Sequence, residues 1–441
     1  MSKFYELREK YPTFVYIGYD YKITENLCKV EYLFEIPGLS EFRPSWEFPV
    51  KKAVNESILQ RMIFCLGMVE AISYYKCTCA PTIEILCGKL TKNQQEWWKK
   101  LFYNGLGEFM YINNIEISME ELFDFDCQEG TEQPLLDTAI YEGCLIPVGG
   151  GKDSVVSMEL LRNEKVATYH INSPSAIKEV VDIYAAKEYD YGAKRRLCPN
   201  MLELNRQGFL NGHTPFSAIV AFSSIIAALL TGKKYIVLSN ENSANETTVK
   251  DSFVNHQYSK SYEFEEDFEW YVRTITDSDI HYFSLLRPLA EIQIAALFSK
   301  YTDYHRIFRS CNVGSKTGVW CCDCPKCLFV YIILCPFISE EGMKEMFGEK
   351  LLDKTSLEDD FKKLTGILED KPFECVGTRK EVMVALKAYV EAGGSSLLTD
   401  KYRDVILLEK DNLAELLQEW NDENNVPKEY SDIVKRSMNI E

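Results

Sequence analysis

The sequence predicts an α/β protein built around a doubly wound parallel sheet, with an N-terminal α+β domain and a mostly helical C-terminal part. Three observations support this fold class. Up to about residue 140, short β-rich stretches occur together with one helical stretch. From about residue 143, the pattern is strand, turn, helix, strand. Beyond about residue 340, the sequence is rich in charged residues with helical periodicity. We therefore predict domains at residues 1–140, 141–338 and 339–441.

The N-terminal domain is predicted from strands at residues 14–17 and 28–36 and from a helix near residues 59–75. Residues 94–106 are rich in Trp, Lys and aromatic side chains with amphipathic spacing. Such a helix can bind a partner, but docking on its own domain is the favoured interpretation. We assign this segment no chemistry.

The central and C-terminal parts follow from hydrophobic periodicity and turn residues. The central elements are a strand at 144–148, a turn at 149–151, a helix at 154–162, a strand at 165–171, a long buried helix at 215–230 and a strand at 234–238. Helices are predicted beyond them at 356–368, 378–392 and 411–421. The chain is then expected to end in a ragged, acidic tail.

Charge and apolar patterning exclude several classes of function. The 49 Lys and Arg against 67 Asp and Glu leave a formal charge of −18, which repels nucleic acids and anionic membranes. The longest apolar stretch, residues 216–230, contains serines and is shorter than the ~20 residues that span a bilayer. No apolar export signal opens the chain. We expect a cytoplasmic protein with no nucleic-acid partner and no stable membrane insertion; the oligomeric state stays open.

The strongest chemical motif is Pro-Val-Gly-Gly-Gly-Lys-Asp-Ser at residues 147–154, between a predicted strand and helix. Glycines permit close backbone approach, and free amides at a helix start bind anions. Asp153 follows the lysine where a kinase-type P-loop needs Ser or Thr, and an aspartate beside phosphates implies Mg²⁺. The alternative is a turn that only lets helix and sheet pack closely. The predicted nucleotide-binding residues are Gly149, Gly150, Gly151, Lys152, Asp153 and Ser154.

Polar segments after the predicted strands are expected to meet this loop, because the carboxyl ends of parallel strands share one edge of a sheet. Asn240 and Glu241 follow the strand at 234–238 and are predicted to lie near nucleotide, substrate or Mg²⁺. Composition alone favours the alternative of a solvated loop. His213, just before the buried helix, either caps that helix or touches ligand.

A cysteine cluster is the second strong motif. Cys311, Cys321, Cys324 and Cys327 have the spacing of a tetrahedral thiolate site for structural zinc, with Cys322 as a spare. A redox disulfide is a weaker alternative, because cytosolic thiols are kept reduced. A set of unliganded thiols is the other alternative.

The motif at 149–154 resembles the Ser-Gly-Gly-x-Asp-Ser loop of the PP-loop ATP pyrophosphatases, with Gly149 in place of the serine. Together with further segments it is similar to the ATP-dependent UDP-N-acetylmuramoyl-L-alanyl-L-glutamate epimerases of bacterial peptidoglycan synthesis. The segments that carry this resemblance are residues 149–154, 211–216, 239–246, 255–261, 320–327 and 371–377. Cys322 departs from the glycine expected after Cys321.

The resemblance implies a fold of the PP-loop type and a reaction. The terminal L-glutamate of UDP-MurNAc-L-Ala-L-Glu would be inverted to D-glutamate with ATP and Mg²⁺, through an adenylated carboxylate, with release of AMP and pyrophosphate. His256 is the first choice for a proton-transfer group, since its ordinary pKa lies closest to neutrality. A role of His256 confined to hydrogen bonds within its loop is the alternative.

The remaining implied roles complete the prediction. Lys260 and Asp153 join His256 as catalytic residues, and the residues expected to bind substrate are His213, Asn245, Tyr258 and Arg379. Another PP-loop ATP-dependent adenylating enzyme, of the amide-forming or the queuosine-precursor and tRNA-modifying type, is the alternative function. The acidic net charge disfavours the tRNA-modifying type.

Overall fold

The computed structural model describes most of the chain. The described residues are 2–131, 133–172, 175–184, 190–245, 255, 258–311, 313–314, 318–372 and 374–440, with the side chains of residues 244 and 245 excepted. The statements below refer to these residues.

Strands are concentrated in the first two thirds of the chain. They are β1 (Thr13–Ile23), β2 (Leu27–Ile36), β3 (Ser40–Phe42), β4 (Ser45–Pro49), β5 (Thr82–Leu90), β6 (Asp124–Glu129), β7 (Cys144–Pro147), β8 (Val166–Ile171), β9 (Asp190–Arg196), β10 (Tyr235–Leu238) and β11 (His281–Ser284).

Helices occur throughout and dominate after β11. The first ten are α1 (Lys3–Lys10), α2 (Glu56–Tyr75), α3 (Lys92–Gly105), α4 (Gly107–Ile112), α5 (Met119–Leu122), α6 (Lys152–Leu160), α7 (Ser175–Tyr184), α8 (Pro199–Arg206), α9 (Phe216–Thr231) and α10 (Tyr262–Ile275). The others are α11 (Glu291–Phe298), α12 (Pro325–Leu334), α13 (Glu340–Phe347), α14 (Glu358–Thr365), α15 (Arg379–Glu391), α16 (Leu397–Lys401), α17 (Arg403–Leu407), α18 (Leu413–Leu416) and α19 (Lys428–Met438).

The chain forms two compact units, each assembled from three segments. Unit 1 comprises Met1–Leu145, Tyr191–Ile236 and Phe253–His281, and unit 2 comprises Ile146–Asp190, Val237–Ser252 and Tyr282–Glu441. The boundaries of these units differ from those of the predicted domains. Residues 149–154 and the helical C-terminal part were predicted to lie in separate domains, whereas both belong to unit 2. Whether the three predicted domains can fold separately stays a prediction.

Unit 1 contains a sheet of mixed pairing. Its strand order is β9-β4-β2-β1-β5-β6, with β3 paired to β2. The pairs β1/β2, β2/β4 and β4/β9 are antiparallel, whereas β1/β5 and β5/β6 are parallel. Helix α2 packs against this sheet, and the hydroxyl of Tyr32 donates to the carbonyl of Ile63, 3.0 Å away. A Cβ at Gly67 would lie 1.9 Å from the Tyr16 hydroxyl, so only glycine allows this close approach.

Helix α3 buries its apolar face inside unit 1, against Phe123 of the predicted 1–140 domain and also against residues of the predicted 141–338 domain. Trp98 is fully buried, stacks on Phe222 at 5.1 Å between ring centroids, and donates from Nε1 to the Tyr271 hydroxyl at 2.7 Å. All three residues belong to unit 1. The apolar face of α3 is therefore part of the core.

Unit 2 contains β8 and the carboxyl-terminal parts of β7, β10 and β11. Strand β10 is parallel to β7. The amide of Val148 donates to the carbonyl of Tyr169 on β8 at 2.7 Å, and the amide of Leu285 donates to the carbonyl of Leu238 at 2.9 Å. Because these strand ends are held side by side, the segments that follow β7, β10 and β11 start from one edge.

The mixed α/β class and the helical C-terminal part are confirmed. One correction concerns the end of the chain, where the predicted helix at 411–421 is reduced to α18 and the predicted ragged tail contains α19. Tyr430, Val434 and Met438 of α19 are buried. Their spacing of four residues places them on one helix face, and this apolar stripe outweighs the surrounding charge. No helix in the described part of the chain combines the length and apolarity needed to cross a membrane.

Candidate active site

The glycine loop (residues 149–154) connects β7 to α6 as the sequence predicts. Gly150 has φ +79°, a conformation that favours glycine, and Gly151 is the N-cap residue of α6. No side chain caps this helix start, whereas the Ser154 hydroxyl donates to the carbonyl of Gly151 at 3.1 Å. A Cβ at Gly149 would meet nothing within 4 Å. The loop thus combines uncapped amides with open space, which suits a phosphate group.

A buried cation lies at the first position of α6. Lys152 is 1% exposed and donates hydrogen bonds to the carboxylates of Asp153 and Glu291. Burial lowers the pKa of Lys152, but the two carboxylates outweigh it and hold the pKa above its usual value. Burial raises the pKa of Glu291, which Lys152 opposes. Lys152 therefore remains an ammonium, whereas Asp153, with its side chain 32% exposed, is the accessible acid of the loop.

Glu291 joins the glycine loop to the turn before α15. The carboxylate of Glu381 accepts from the amide of Ile292 at 3.2 Å and from the amide of Thr378 at 2.8 Å. A Cβ at Gly377 would lie 3.2 Å from the Cβ of Glu291, so this turn packs directly on the partner of Lys152. Burial raises the pKa of Glu381, and Glu291 adds to this effect.

Lys326 connects the same turn to helix α12. It is 7% exposed, and its ammonium donates to the carbonyl of Cys375. Lys326 also lowers the pKa of Glu291. The segments 320–327 and 371–377, which carry part of the sequence resemblance, therefore meet close to the glycine loop.

The two predicted residues after β10 are both in unit 2. Asn240 donates from its side-chain amide to the Ser284 hydroxyl at 3.1 Å. Glu241 is buried, its carbonyl accepts from Arg287 at 2.8 Å, and its carboxylate raises the pKa of Glu291. The segment around Glu241 is therefore not the fully solvated loop of the alternative interpretation.

A histidine and an aspartate pair at the carboxyl end of β8. His170 Nε2 lies 3.1 Å from Asp190 Oδ2, and the Thr168 hydroxyl donates to Asp190 Oδ1 at 2.9 Å. Burial opposes ionisation of Asp190, but these two contacts hold its pKa below the usual value. His170 is therefore oriented by a carboxylate at an edge that also carries the glycine loop.

The four predicted cysteines come together in unit 2. The ligand atoms of Cys311, Cys321, Cys324 and Cys327 all lie within 4.8 Å of one another, with Sγ to Sγ distances of 3.9 Å for Cys311 and Cys324 and 3.6 Å for Cys321 and Cys327. A tetrahedral zinc with Zn–S bonds of about 2.3 Å separates its sulfurs by about 3.8 Å, so the donors fit this metal. Cys322 is turned away and donates to the carbonyl of Phe347 at 3.2 Å.

Several predicted substrate or catalytic residues belong to unit 1. His213 Nδ1 lies 3.3 Å from a carboxylate oxygen of Glu108, and the N-cap of α9 has no side-chain cap. Tyr258 is buried; burial raises its pKa, which a hydrogen bond with the Asn104 side chain only partly opposes. Lys260 is half-buried at the end of a short 3-10 helix.

His256 lies outside the described residues, and so does the side chain of Asn245. Arg379, the first residue of α15, donates to the carbonyls of Leu368 and Glu369. These bonds brace the connection between α14 and α15, and the predicted role of Arg379 in substrate binding stays a prediction.

Sequence reasoning missed Glu291, Glu381 and Lys326. Glu291 begins a helix soon after a buried strand, which repeats the strand, turn, helix pattern that identified the glycine loop. This pattern could have identified Glu291 as a candidate site residue from the sequence. The other two become recognisable only when α12 and the turn before α15 are placed beside Glu291.

The chain matches known protein families over most of its length. Residues 5–285 match the family model for the MurL N-terminal domain, and residues 307–405 match that for the MurL C-terminal domain. No solved structure matches the chain. The PP-loop type of fold therefore stays a prediction.

Three curated relatives carry one name, UDP-N-acetyl-alpha-D-muramoyl-L-alanyl-L-glutamate epimerase. The protein of Xanthomonas oryzae pv. oryzae (strain MAFF 311018) is 34% identical over 342 residues, covering 75% of this chain and 75% of the relative. That of Salinispora tropica is 34% identical over 344 residues, covering 76% and 74%. That of Micromonospora sp. is 32% identical over 358 residues, covering 78% and 77%. The chain therefore belongs to the family of UDP-N-acetyl-alpha-D-muramoyl-L-alanyl-L-glutamate epimerases, which are isomerases.

Proposed function

We propose that this protein uses ATP and Mg²⁺ to invert the terminal L-glutamate of UDP-MurNAc-L-Ala-L-Glu to D-glutamate, with release of AMP and pyrophosphate. The relatives support the epimerase part by their names. The observation that carries the ATP part is the glycine loop, where uncapped helix amides and open space lie beside the accessible carboxylate of Asp153.

ATP has a clear chemical purpose in such a reaction. The α-proton of a glutamate carboxylate is a very weak acid, because its removal places a second negative charge next to the first. Attack of the carboxylate oxygen on the α-phosphorus of ATP forms an acyl adenylate and expels pyrophosphate. The activated acyl group then loses its α-proton to a base, and the resulting enolate oxygen can be stabilised by hydrogen-bond donors. Reprotonation on the opposite face and hydrolysis give the epimer and AMP.

Within this proposal the glycine loop binds the leaving pyrophosphate. Its amides and the start of α6 supply partial positive charge. Lys152 adds a permanent charge beneath the loop, since Asp153 and Glu291 keep it protonated. Asp153, Asn240 and Glu241 are the residues that would hold Mg²⁺, which would neutralise phosphate charge during the transfer.

Proton transfer is assigned to His256 and Lys260, with Tyr258 as a substrate contact. The raised pKa of Tyr258 keeps its phenol protonated near neutrality, so it can donate a hydrogen bond but is unsuited to act as a base. His256 is the first choice because the reference pKa of imidazole is about 6.5. His213, Asn245 and Arg379 are proposed to contact substrate.

A structural zinc at Cys311, Cys321, Cys324 and Cys327 belongs to the same proposal. Its support is the match between the sulfur separations and a tetrahedral thiolate site. We also propose that the protein works in the cytoplasm, and the net charge of −18 disfavours nucleic acid as a partner.

The decisive experiment incubates the protein with UDP-MurNAc-L-Ala-L-Glu, ATP and Mg²⁺ in D₂O. We expect D-glutamate after acid hydrolysis, AMP and pyrophosphate in solution, and deuterium at the α-carbon, all dependent on ATP. Asp153→Asn should abolish product formation while the protein stays folded, with some loss of thermal stability because Asp153 is one of the two carboxylates paired with the buried Lys152.

Other products would contradict different parts of the proposal. ADP and phosphate in place of AMP and pyrophosphate would disprove the assignment of the loop. AMP release with unchanged L-glutamate would favour another adenylating enzyme, such as an amide-forming one. Epimerisation in the absence of ATP would remove the adenylation step.

A further inference from the structure

Ser310 lies beside the start of α6. A Cβ at Gly151, the N-cap residue of that helix, would be only 2.7 Å from the Ser310 hydroxyl oxygen. Within the described residues no hydrogen-bond partner is found for this hydroxyl. Ser310 is half-buried, so part of its side chain remains accessible. A hydroxyl at this position can donate to an anion held by the amides of α6.

At Gly149, the first residue of the glycine loop, there is no side-chain hydroxyl that could bind a phosphate. A side chain at Gly149 would meet nothing within 4 Å, and Gly149 does not have a positive φ. The loop therefore has room for a hydroxyl at position 149 but carries none there. The Ser154 hydroxyl is engaged with the carbonyl of Gly151, whereas the Ser310 hydroxyl oxygen is the atom that would lie nearest to a Cβ at Gly151.

Backbone and cysteine contacts fix the position of Ser310. On one side, the amide of Arg309 donates to the carbonyl of Gly150 at 2.8 Å, and its guanidinium donates from Nε to the carbonyl of Gly318 at 2.9 Å. On the other side, Cys311 belongs to the thiolate cluster, and its Sγ accepts from the amide of Gly314 at 3.2 Å. The hydroxyl is thus held between two anchored neighbours.

We propose that Ser310 is a phosphate-binding residue of the glycine loop, donating its hydroxyl hydrogen bond to the pyrophosphate part of a nucleoside triphosphate. The proposal rests on the proposed function, which makes this loop the pyrophosphate site. It adds a ligand contact from a residue 156 positions beyond Ser154, the last residue of the loop. The region next to the thiolate cluster thereby takes part in ATP binding.

The test measures binding of Mg²⁺-pyrophosphate and of AMP to the full-length protein by isothermal titration calorimetry. Ser310→Ala should weaken pyrophosphate binding by about tenfold, since hydrogen bonds to charged groups are among the stronger ones, and should leave AMP binding unchanged. The double variant Gly149→Ser/Ser310→Ala should recover affinity for pyrophosphate. Ser437→Ala serves as the matched control, because its hydroxyl donates only within α19, to the carbonyl of Val434.

The outcomes separate this inference from the proposed function. Equal binding of pyrophosphate by Ser310→Ala and wild-type protein would overturn the inference alone. An equal loss for pyrophosphate and AMP would also overturn it, because that pattern indicates a structural role. A wild-type protein that binds neither pyrophosphate nor ATP would overturn the proposed function and this inference with it.

Discussion

The ammonium of Lys152, the first residue of α6, donates a hydrogen bond to the carboxylate of Glu291, the first residue of α11. Both side chains are buried, with 1% and 3% of their area exposed. The pair joins two helix starts that follow two strands of unit 2. Because a buried charge is stable only with its partner, each of these residues fixes the position of the other.

Loss of the acceptor is expected to destabilise unit 2. Glu291→Leu should lower the free energy of unfolding by about 3 kcal/mol, the lower end of the cost of breaking a buried pair, since Asp153 still contacts Lys152. Chemical denaturation measures this cost. The double variant Lys152→Met/Glu291→Leu should cost less than the sum of the single variants. Additive costs would contradict a direct interaction between the two side chains.

Two glycines of the loop should respond differently to the same added methyl group. Gly151→Ala places a Cβ 2.7 Å from the Ser310 hydroxyl, which must rotate away, and puts alanine at the N-cap of α6, so it should lower stability by about 1 kcal/mol. Gly149→Ala meets open space and should be neutral or slightly stabilising. Thermal unfolding of the two variants provides the comparison. Equal effects would show that Ser310 does not approach Gly151 this closely.

The cysteine cluster should contain about one zinc per chain, measured by mass spectrometry of the metal. Cys324→Ser should lose the metal and lower the unfolding temperature, because a structural zinc contributes to folding. Cys322→Ser is the matched control and should keep the zinc, since its sulfur points to the carbonyl of Phe347. If the purified protein contained no zinc and were fully stable, the zinc prediction would be wrong and the four cysteines would be unliganded thiols.

Two histidines should change stability with pH in opposite directions. A hydrogen bond to Glu269 raises the pKa of His281 despite partial burial, so its stabilising effect is complete below about pH 6.5 and disappears as pH rises through the higher folded pKa. Burial lowers the pKa of His305, so its neutral form is favoured, and the penalty for charging it grows below about pH 6.5.

Unfolding temperatures at pH 5.5 and 8 test these signs. The advantage of wild-type protein over His281→Gln should be larger at the lower pH, by less than about 1 kcal/mol because this ring is well exposed. The advantage over His305→Gln should be larger at the higher pH. The same sign for both variants would contradict the assigned environments.

Strong local patterns explain what the sequence could predict about the fold. The apolar run of α9 predicts a helix at residues 215–230, and the structure has Phe216–Thr231. The C-terminal end was harder to predict, because the buried stripe of α19 is embedded among charged residues. Its apolar face becomes informative only when the surface that it covers is known.

In the candidate site, too, features that depend on neighbouring residues could be predicted from the sequence, and contacts between distant residues could not. The glycine loop and the four cysteines were predictable because each depends on residues close in sequence. Glu291 was not, because its partner Lys152 is 139 residues away and no local spacing connects them. The positive charge of Arg379 suggested that it binds an anion. In the structure its guanidinium donates hydrogen bonds to the backbone carbonyls of Leu368 and Glu369, which no local sequence pattern indicates.

The separation between Lys152 and Glu291 also sets an order of events during synthesis. At the usual rates of translation, on the order of ten seconds pass between the appearance of Lys152 and that of Glu291, 139 residues later. Unit 1 ends at His281, so all of its residues exist before Glu291 has been made. A nascent chain therefore contains every residue of unit 1 before Glu291 is made, and the contacts of the glycine loop with α11, and those of α11 with the turn before α15, can form only after those segments have left the ribosome.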